Sequence, residues 1–201
     1  MCICLFPGRV ICCTTLACKR EERARARDIA KRGAFLAIVI SEALDRFTAG
    51  CARVVGDNGL HHGQPNEQGY REVQVEAPTF DPSAFDVDWQ AIPATLTEAV
   101  LSLPARIEEA RARISDTSEY VATPPDFDEF FEERCFRYAE LGLYAVRTAA
   151  ALRDYAGLPV RLDRAWDVAT HLTAEKANLE RHRQQREHQQ AESLSALTQG
   201  N

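Results

Sequence analysis

DFDEFFEERCFRYAELGLYAVRTAAALRDYA, residues Asp126 to Ala156, is the longest unbroken helical pattern in the chain, and its reading decides the fold class. Pro124 and Pro125 stand before it and Gly157 and Pro159 after it, residue types that keep a helix from extending in either direction. Glu129, Glu133, Arg137, Glu140, Tyr144, Arg147, Ala151 and Asp154 recur at helical spacing and form one narrow polar stripe. The rest of the circumference is apolar or small: Phe127, Phe131, Cys135, Tyr138, Leu141, Gly142, Ala145, Ala149 and Leu152. A helix of this kind is mostly buried and keeps a thin wet edge. Its run of small residues, from Cys135 through Gly142 and Ala145 to Ala149, lets a neighbouring helix approach closely. Glu133 and Arg137 read as a surface pair of about 0.3–0.5 kcal/mol.

Three further helical regions supply its neighbours. From Glu21 to about Val55 the apolar residues Ile29, Leu36, Ile40, Leu44, Phe47, Cys51 and Val54 or Val55 line one face, and Gly56-Asp57-Asn58-Gly59 stops the pattern. The opposite stripe, Asp28, Arg32, Phe35, Val39, Glu42 and Arg46, contains two apolar members. The turns around Phe35 and Val39 are therefore either buried between neighbours or a contact patch for a partner. From about Pro93 to Thr117, Ile92, Leu96, Val100, Leu103, Ile107, Ala110 and Ile114 make a near-heptad seam, which Pro104 should kink or split. Glu108, Glu109, Arg111 and Arg113 lie mostly off that seam, as a solvated face does. The last helix is expected from an N-cap at Asp163, with Leu162, Trp166, Ala169, Leu172 and Leu179 inward, and it loses its apolar pattern after Leu179. Its polar extension carries His182 and His188, read as surface residues.

Between the first two helical regions lies a connection far longer than a bundle loop. Residues 56–69 are Gly-rich and flexible in composition, and the adjacent His61 and His62 have no further ligand nearby. Tyr70 to Trp89 reads as an extended strap that pins Phe80, Phe85 and Trp89 against helices. A lone strand there cannot build a sheet.

With 201 residues, 45% hydrophobic and 27% charged, the chain is long and apolar enough to bury a core. Its formal net charge of -6 is unevenly spread. Residues 1–32 hold eight basic against three acidic side chains, and residues 67–133 hold sixteen acidic against four basic. The acidic middle argues against nucleic acid as a partner, since that binding rests on Lys and Arg neutralising phosphates. The basic N-terminal region suits an anionic surface instead.

Seven cysteines are present, of which Cys2, Cys4, Cys12, Cys13 and Cys18 crowd the N-terminal segment while Cys51 and Cys135 sit in helical patterns. A disulfide framework spreads its cysteines so that bridges close loops, so this distribution points to a reducing compartment. The segment MCICLFPGRVICCTTLACKR admits four readings. It is a weak membrane anchor backed by basic residues, a signal peptide with Thr15-Leu16-Ala17 before Cys18, a thiol or metal module on those five cysteines, or a loosely docked tail. Pro7, Gly8 and Arg9 interrupt it, and its apolar run is short for a spanning helix of about 20 residues.

No catalytic motif appears. The di-iron bundle signature E-x-x-H is absent, as are the phosphate-cradling glycine loops and the G-x-S-x-G elbow. His171 and Glu175 share a helix face, but no second such pair stands on another helix. The order of an N-terminal apolar segment, an Arg- and Glu-rich helix start, a long loop, the DWQAIP…LSLP region and a final helix pair resembles uncharacterised bacterial membrane-anchored α-helical proteins. That resemblance covers most of the chain and implies an anchored helical body with no activity attached. The chain departs from the pattern at its shorter, interrupted anchor.

These features predict an all-α antiparallel bundle of three to four long helices, with one long extended strap and an apolar Cys-rich N-terminal segment. The organisation is residues 1–20 as that segment, 21–180 as the bundle with its strap at 56–90, and 181–201 as a polar helical extension. The expected function is non-enzymatic: an interaction or scaffold protein, cytoplasmic or at the cytoplasmic face of the inner membrane. Its partners would be a protein or a second copy, with the membrane surface as a further one. No cofactor and no catalytic residue are expected, and Phe35 and Val39 are the interaction candidates. The alternatives are the thiol or metal module and a small-molecule-binding bundle with an apolar cavity beside the small-residue stripe.

Overall fold

A computed structural model describes the backbone of residues 8–159 and 167–199, and the side chains of these from Cys18 onward except at 190, 193, 194 and 196–199. Among the described residues the architecture is an all-α bundle. The helices are α1 (Gly8–Val55), α2 (Ala94–Leu101), α3 (Leu103–Tyr120), α4 (Asp128–Tyr155) and α5 (Val168–Gln199), and the described residues contain no strand.

The stretch from Asp126 to Ala156 becomes α4, and α1, α3 and α5 all pack on it. Its polar stripe is the edge that stays wholly or partly wet, while Phe131, Cys135, Tyr138, Leu141, Ala145, Ala149 and Leu152 are buried. At Gly142 three helices meet. A Cβ there would stand 2.6 Å from Leu172 Cδ1 of α5 and 3.1 Å from Cys51 Cβ of α1. The small-residue stripe is thus filled by neighbouring helices.

Two charges of α4 depart from the wet edge. Arg134 is buried, and Arg153 reaches α1 to pair with Glu42 at 2.8 Å and Asp45 at 3.0 Å. Since Tyr155 lies beside Gly33 and Arg134 beside Asp57, α1 and α4 run antiparallel. The expected α1 face is buried from Leu36 to Val55, but Ile29 is 53% exposed because the bundle ends short of it.

Pro104 divides the second helical region as its missing N–H requires. Ser102 closes α2 and opens α3, and Pro104 takes a first-turn position where no intrahelical donor is needed. The Ser102 hydroxyl meets the Tyr144 hydroxyl at 3.0 Å, and Tyr144 donates to the Ala99 carbonyl at 2.9 Å, so the break is fastened to α4.

The strap runs back along α1. Pro78 lies against Gly50, the Phe80 ring meets Phe47 edge-on at 6.1 Å, and Ala91 reaches Gly33. Val75, Ala77, Phe85, Val87 and Trp89 pack on the core, an alternation that an extended chain produces. The intervening Glu76, Asp86 and Asp88 face solvent.

α5 is held differently. Of its described side chains only Val168 and Leu172 are buried, and Leu179, expected inward, is half-buried. Ion pairs do the rest: Arg186 with Glu132, Arg183 with Glu133 at 2.6 Å, and Lys176 with Glu140 at 3.6 Å. Glu133 also holds Arg137 at 2.6 Å, so the expected isolated surface pair is one rung of an inter-helix ladder. The Phe136 ring lies under the guanidinium of Arg183 at 4.2 Å and the ammonium of Lys176 at 5.0 Å. The cap of α5 is Asp167, whose carboxylate accepts from Ala169 N–H at 3.0 Å and the Thr170 hydroxyl at 2.6 Å. The expected cap Asp163, with Leu162 and Trp166, lies outside the described residues.

Candidate functional site

The expected boundary between an N-terminal segment and the first helix does not exist in the backbone, because α1 starts at Gly8 and runs unbroken for 48 residues. Lys, Arg, Glu and Ala are strong helix formers, so the sequence from Lys19 to Arg32 carries helix without tertiary support, aided by the Glu21 to Arg25 spacing. Every side chain from Cys18 to Arg32 is exposed. The helix leaves the bundle at Gly33, where a Cβ would stand 2.2 Å from the Ala91 carbonyl oxygen and 2.5 Å from the Tyr155 hydroxyl. Tyr155 donates to that same carbonyl at 3.0 Å, closing the bundle around the glycine. Beyond it residues 8–32 project roughly 37 Å at 1.5 Å per residue. This arm carries seven basic against three acidic side chains between Lys19 and Arg32, above a body that is strongly acidic.

At the root of the arm lies the apolar pair singled out in the sequence. Phe35 is 68% exposed and Val39 half-buried, and Ile38, one helical turn from Phe35, is 37% exposed. The reading in which these turns are buried between neighbours does not hold. Strap and α4 cover only the opposite face of α1.

Of the N-terminal cysteines, Cys2 and Cys4 lie outside the described residues, and only the helical backbone of Cys12 and Cys13 is described. Cys18 is exposed, its thiol 3.6 Å from a Glu22 carboxylate oxygen. No group of three or more metal-ligating side chains converges among the described residues. Cys51 and Cys135 are buried and unpaired with each other. Burial pushes the Cys51 thiol far above its ordinary value and that of Cys135 up to about 11. The Cys135 thiol lies 3.4 Å from the Val55 carbonyl, where it helps satisfy the last turn of α1. His61, His62, His182 and His188 are exposed, and His188 lies 3.2 Å from Glu192.

One buried charged pair escaped the sequence reading. The Asp57 carboxylate accepts from Gly59 N–H at 3.0 Å, Gln74 N–H at 3.0 Å, Val75 N–H at 2.9 Å and Arg134 at 2.9 Å. Arg134 also donates to the Val75 carbonyl. Burial raises the Asp57 pKa, but the three backbone donors and the guanidinium outweigh it, so the carboxyl sits below its usual range. The pair draws both ends of the loop onto α4, with Gly59, at φ 74°, under the Phe131 ring. A signal was present: Arg134 falls three residues after Phe131 and four before Tyr138, inside the apolar face. The partner across seventy-odd residues was not readable from spacing.

No known family model matches the chain, and no characterised protein or solved structure shows significant similarity to it. The fold class therefore rests on the helices themselves. Among the described residues no helix is long and apolar enough to cross a membrane.

Proposed function

We propose that this chain is a non-enzymatic helical interaction protein whose projecting basic arm seats on an anionic membrane surface, on the cytoplasmic side, with the acidic bundle facing solvent. The observation that carries the reading is the continuation of α1 past Gly33 with every described side chain exposed. A basic helix left without tertiary partners is open to an external surface, and contact there would add to the stability that its strong helix formers already supply. Each Lys or Arg near an anionic leaflet contributes about 1 kcal/mol. The excess of four basic residues in the arm therefore gives about 4 kcal/mol, roughly a thousandfold in affinity. The acidic strap is repelled by the same surface, which orients that side of the body away from it.

Flotation of the full chain with phosphatidylcholine vesicles, with and without phosphatidylglycerol, tests this. Binding is expected only with the anionic lipid, with release in 1 M NaCl and loss when Lys19, Arg20, Arg23, Arg25 and Arg27 become Gln. Equal recovery on neutral vesicles, or none on either, refutes it. The exposed Phe35 and Ile38, with Val39, favour a second contact on the same protein, for a protein partner. Phe35→Ser with Val39→Ser should remove that partner, or any self-association, without changing flotation.

A further inference from the structure

Between α3 and α4 lies a cleft of about 290 Å³. Its lining includes Ala110 and Leu141, both buried. Two arginine pairs stand over it, and they differ in their commitments. At one end Arg113 is held by Glu109 at 3.1 Å, and Arg137 by Glu133 at 2.6 Å and Glu140 at 3.0 Å. Glu140 is itself shared with Lys176, so the carboxylates lining the cleft are already neutralised. At the other end the Arg106 guanidinium lies 4.2 Å over the Tyr144 ring and makes no ion pair among the described residues, and Arg147 makes neither an ion pair nor a hydrogen bond among them. Two uncompensated guanidinium groups thus face one small cleft in a protein of net charge -6.

We propose that this cleft is a binding site for a phosphate monoester dianion, held by Arg106 and Arg147 beside Tyr144. The charges match: a monoester carries about -1.5 to -2 near neutral pH, against the two free positive charges. Guanidinium groups fit phosphate oxygens with paired N–H donors, which a Lys cannot do. The wall is preorganised, because the Tyr144 hydroxyl is fixed to Ser102 and the Ala99 carbonyl and the ring carries Arg106 on its face. The volume suits the phosphate with a short organic group, at the small end of natural ligand sites. This chemistry is shared by soluble small phosphate esters and by a phospholipid whose headgroup is a terminal phosphate. The site lies on the bundle and does not depend on the arm.

The test is isothermal titration of the full chain with inorganic phosphate and with glycerol 3-phosphate, at ionic strength held constant with NaCl. Saturable binding of one equivalent is expected, weakened at least tenfold in Arg106→Gln/Arg147→Gln, whose exposed side chains leave the helical circular dichroism and the thermal midpoint without phosphate unchanged. Glycerol 3-phosphate binding more tightly than phosphate, with no retention of the arm-neutralised variant on phosphatidic acid vesicles, identifies a soluble ester as the source. Retention of the arm-neutralised variant on phosphatidic acid vesicles, lost in Arg106→Gln/Arg147→Gln, identifies a lipid headgroup. No saturable binding of phosphate beyond that of chloride, or equal binding by the double variant, overturns the site. Neither result bears on flotation by the arm.

Discussion

Removing Asp57 should cost more than removing its buried partner Arg134, and the hydrogen bonds give the reason. The Asp57 carboxylate serves three backbone N–H groups as well as Arg134. Asp57→Ala strands all of these donors and leaves the guanidinium buried without its counterion, which puts the loss at about 3–5 kcal/mol. Arg134→Met removes one donor to the carboxylate and the donor to the Val75 carbonyl, but leaves the carboxylate with three backbone donors, and the thioether fills part of the space. Its cost is about 1–3 kcal/mol. For a chain of this size the Asp57→Ala loss corresponds to roughly 6–20 °C in the thermal midpoint. Urea titration followed by helical circular dichroism at pH 7 measures both. A cost for Asp57→Ala below about 1 kcal/mol, or one smaller than that of Arg134→Met, would refute the reasoning. The pH dependence follows with its sign. Because the folded pKa of Asp57 is depressed, its contribution is complete above the ordinary carboxylate pKa of about 3.9 and disappears as the pH falls through the folded value. Asp57→Asn should therefore lose the part of the acid sensitivity that lies below about pH 4.

The α5 ladder and the buried thiols give two more expectations. In 1 M salt the Debye length falls to about 3 Å, so the Arg183, Arg186 and Lys176 pairs weaken while the apolar α1–α4 contact does not. Hydrogen exchange should then accelerate in α5 beyond Leu172 with α1 and α4 unchanged, and uniform acceleration would contradict it. Ellman's reagent should leave Cys51 and Cys135 unreacted in the native protein and titrate both only in denaturant, since burial keeps their thiols protonated. Modification of either in the native state at the rate of Cys18 would mean that the α1–α4 interface opens readily.

Local pattern determined most of the architecture. Helical spacing identified α4 and its polar stripe, Pro104 marked the break between α2 and α3, and period and turn residues ended α1 near Val55. These features arise between residues a few positions apart, where backbone geometry alone sets what is on one face. The same pattern singled out Phe35 as apolar on the wrong side of α1, but whether a neighbour covers it depends on elements distant in the chain. Likewise the spacing placed Arg134 among apolar residues, but only the folded chain brings Asp57 to it. The sequence extended an apolar helical face to Ile29, yet α4 ends at Tyr155, level with Gly33, and so α1 goes on without support.

The cleft divides along the same line. Arg106, Glu109, Ala110 and Arg113 on α3, and Arg137, Glu140, Tyr144 and Arg147 on α4, are each a readable stripe that sequence alone treats as solvated. Sequence determined the two stripes. The antiparallel packing of α3 on α4 decided that they face each other, while i,i+3 and i,i+4 pairs within each helix gave Arg113 and Arg137 their carboxylates and Lys176 of α5 took a share of Glu140. Charge pairing between helices depends on distances of a few ångströms across the bundle, and no one-dimensional pattern contains them.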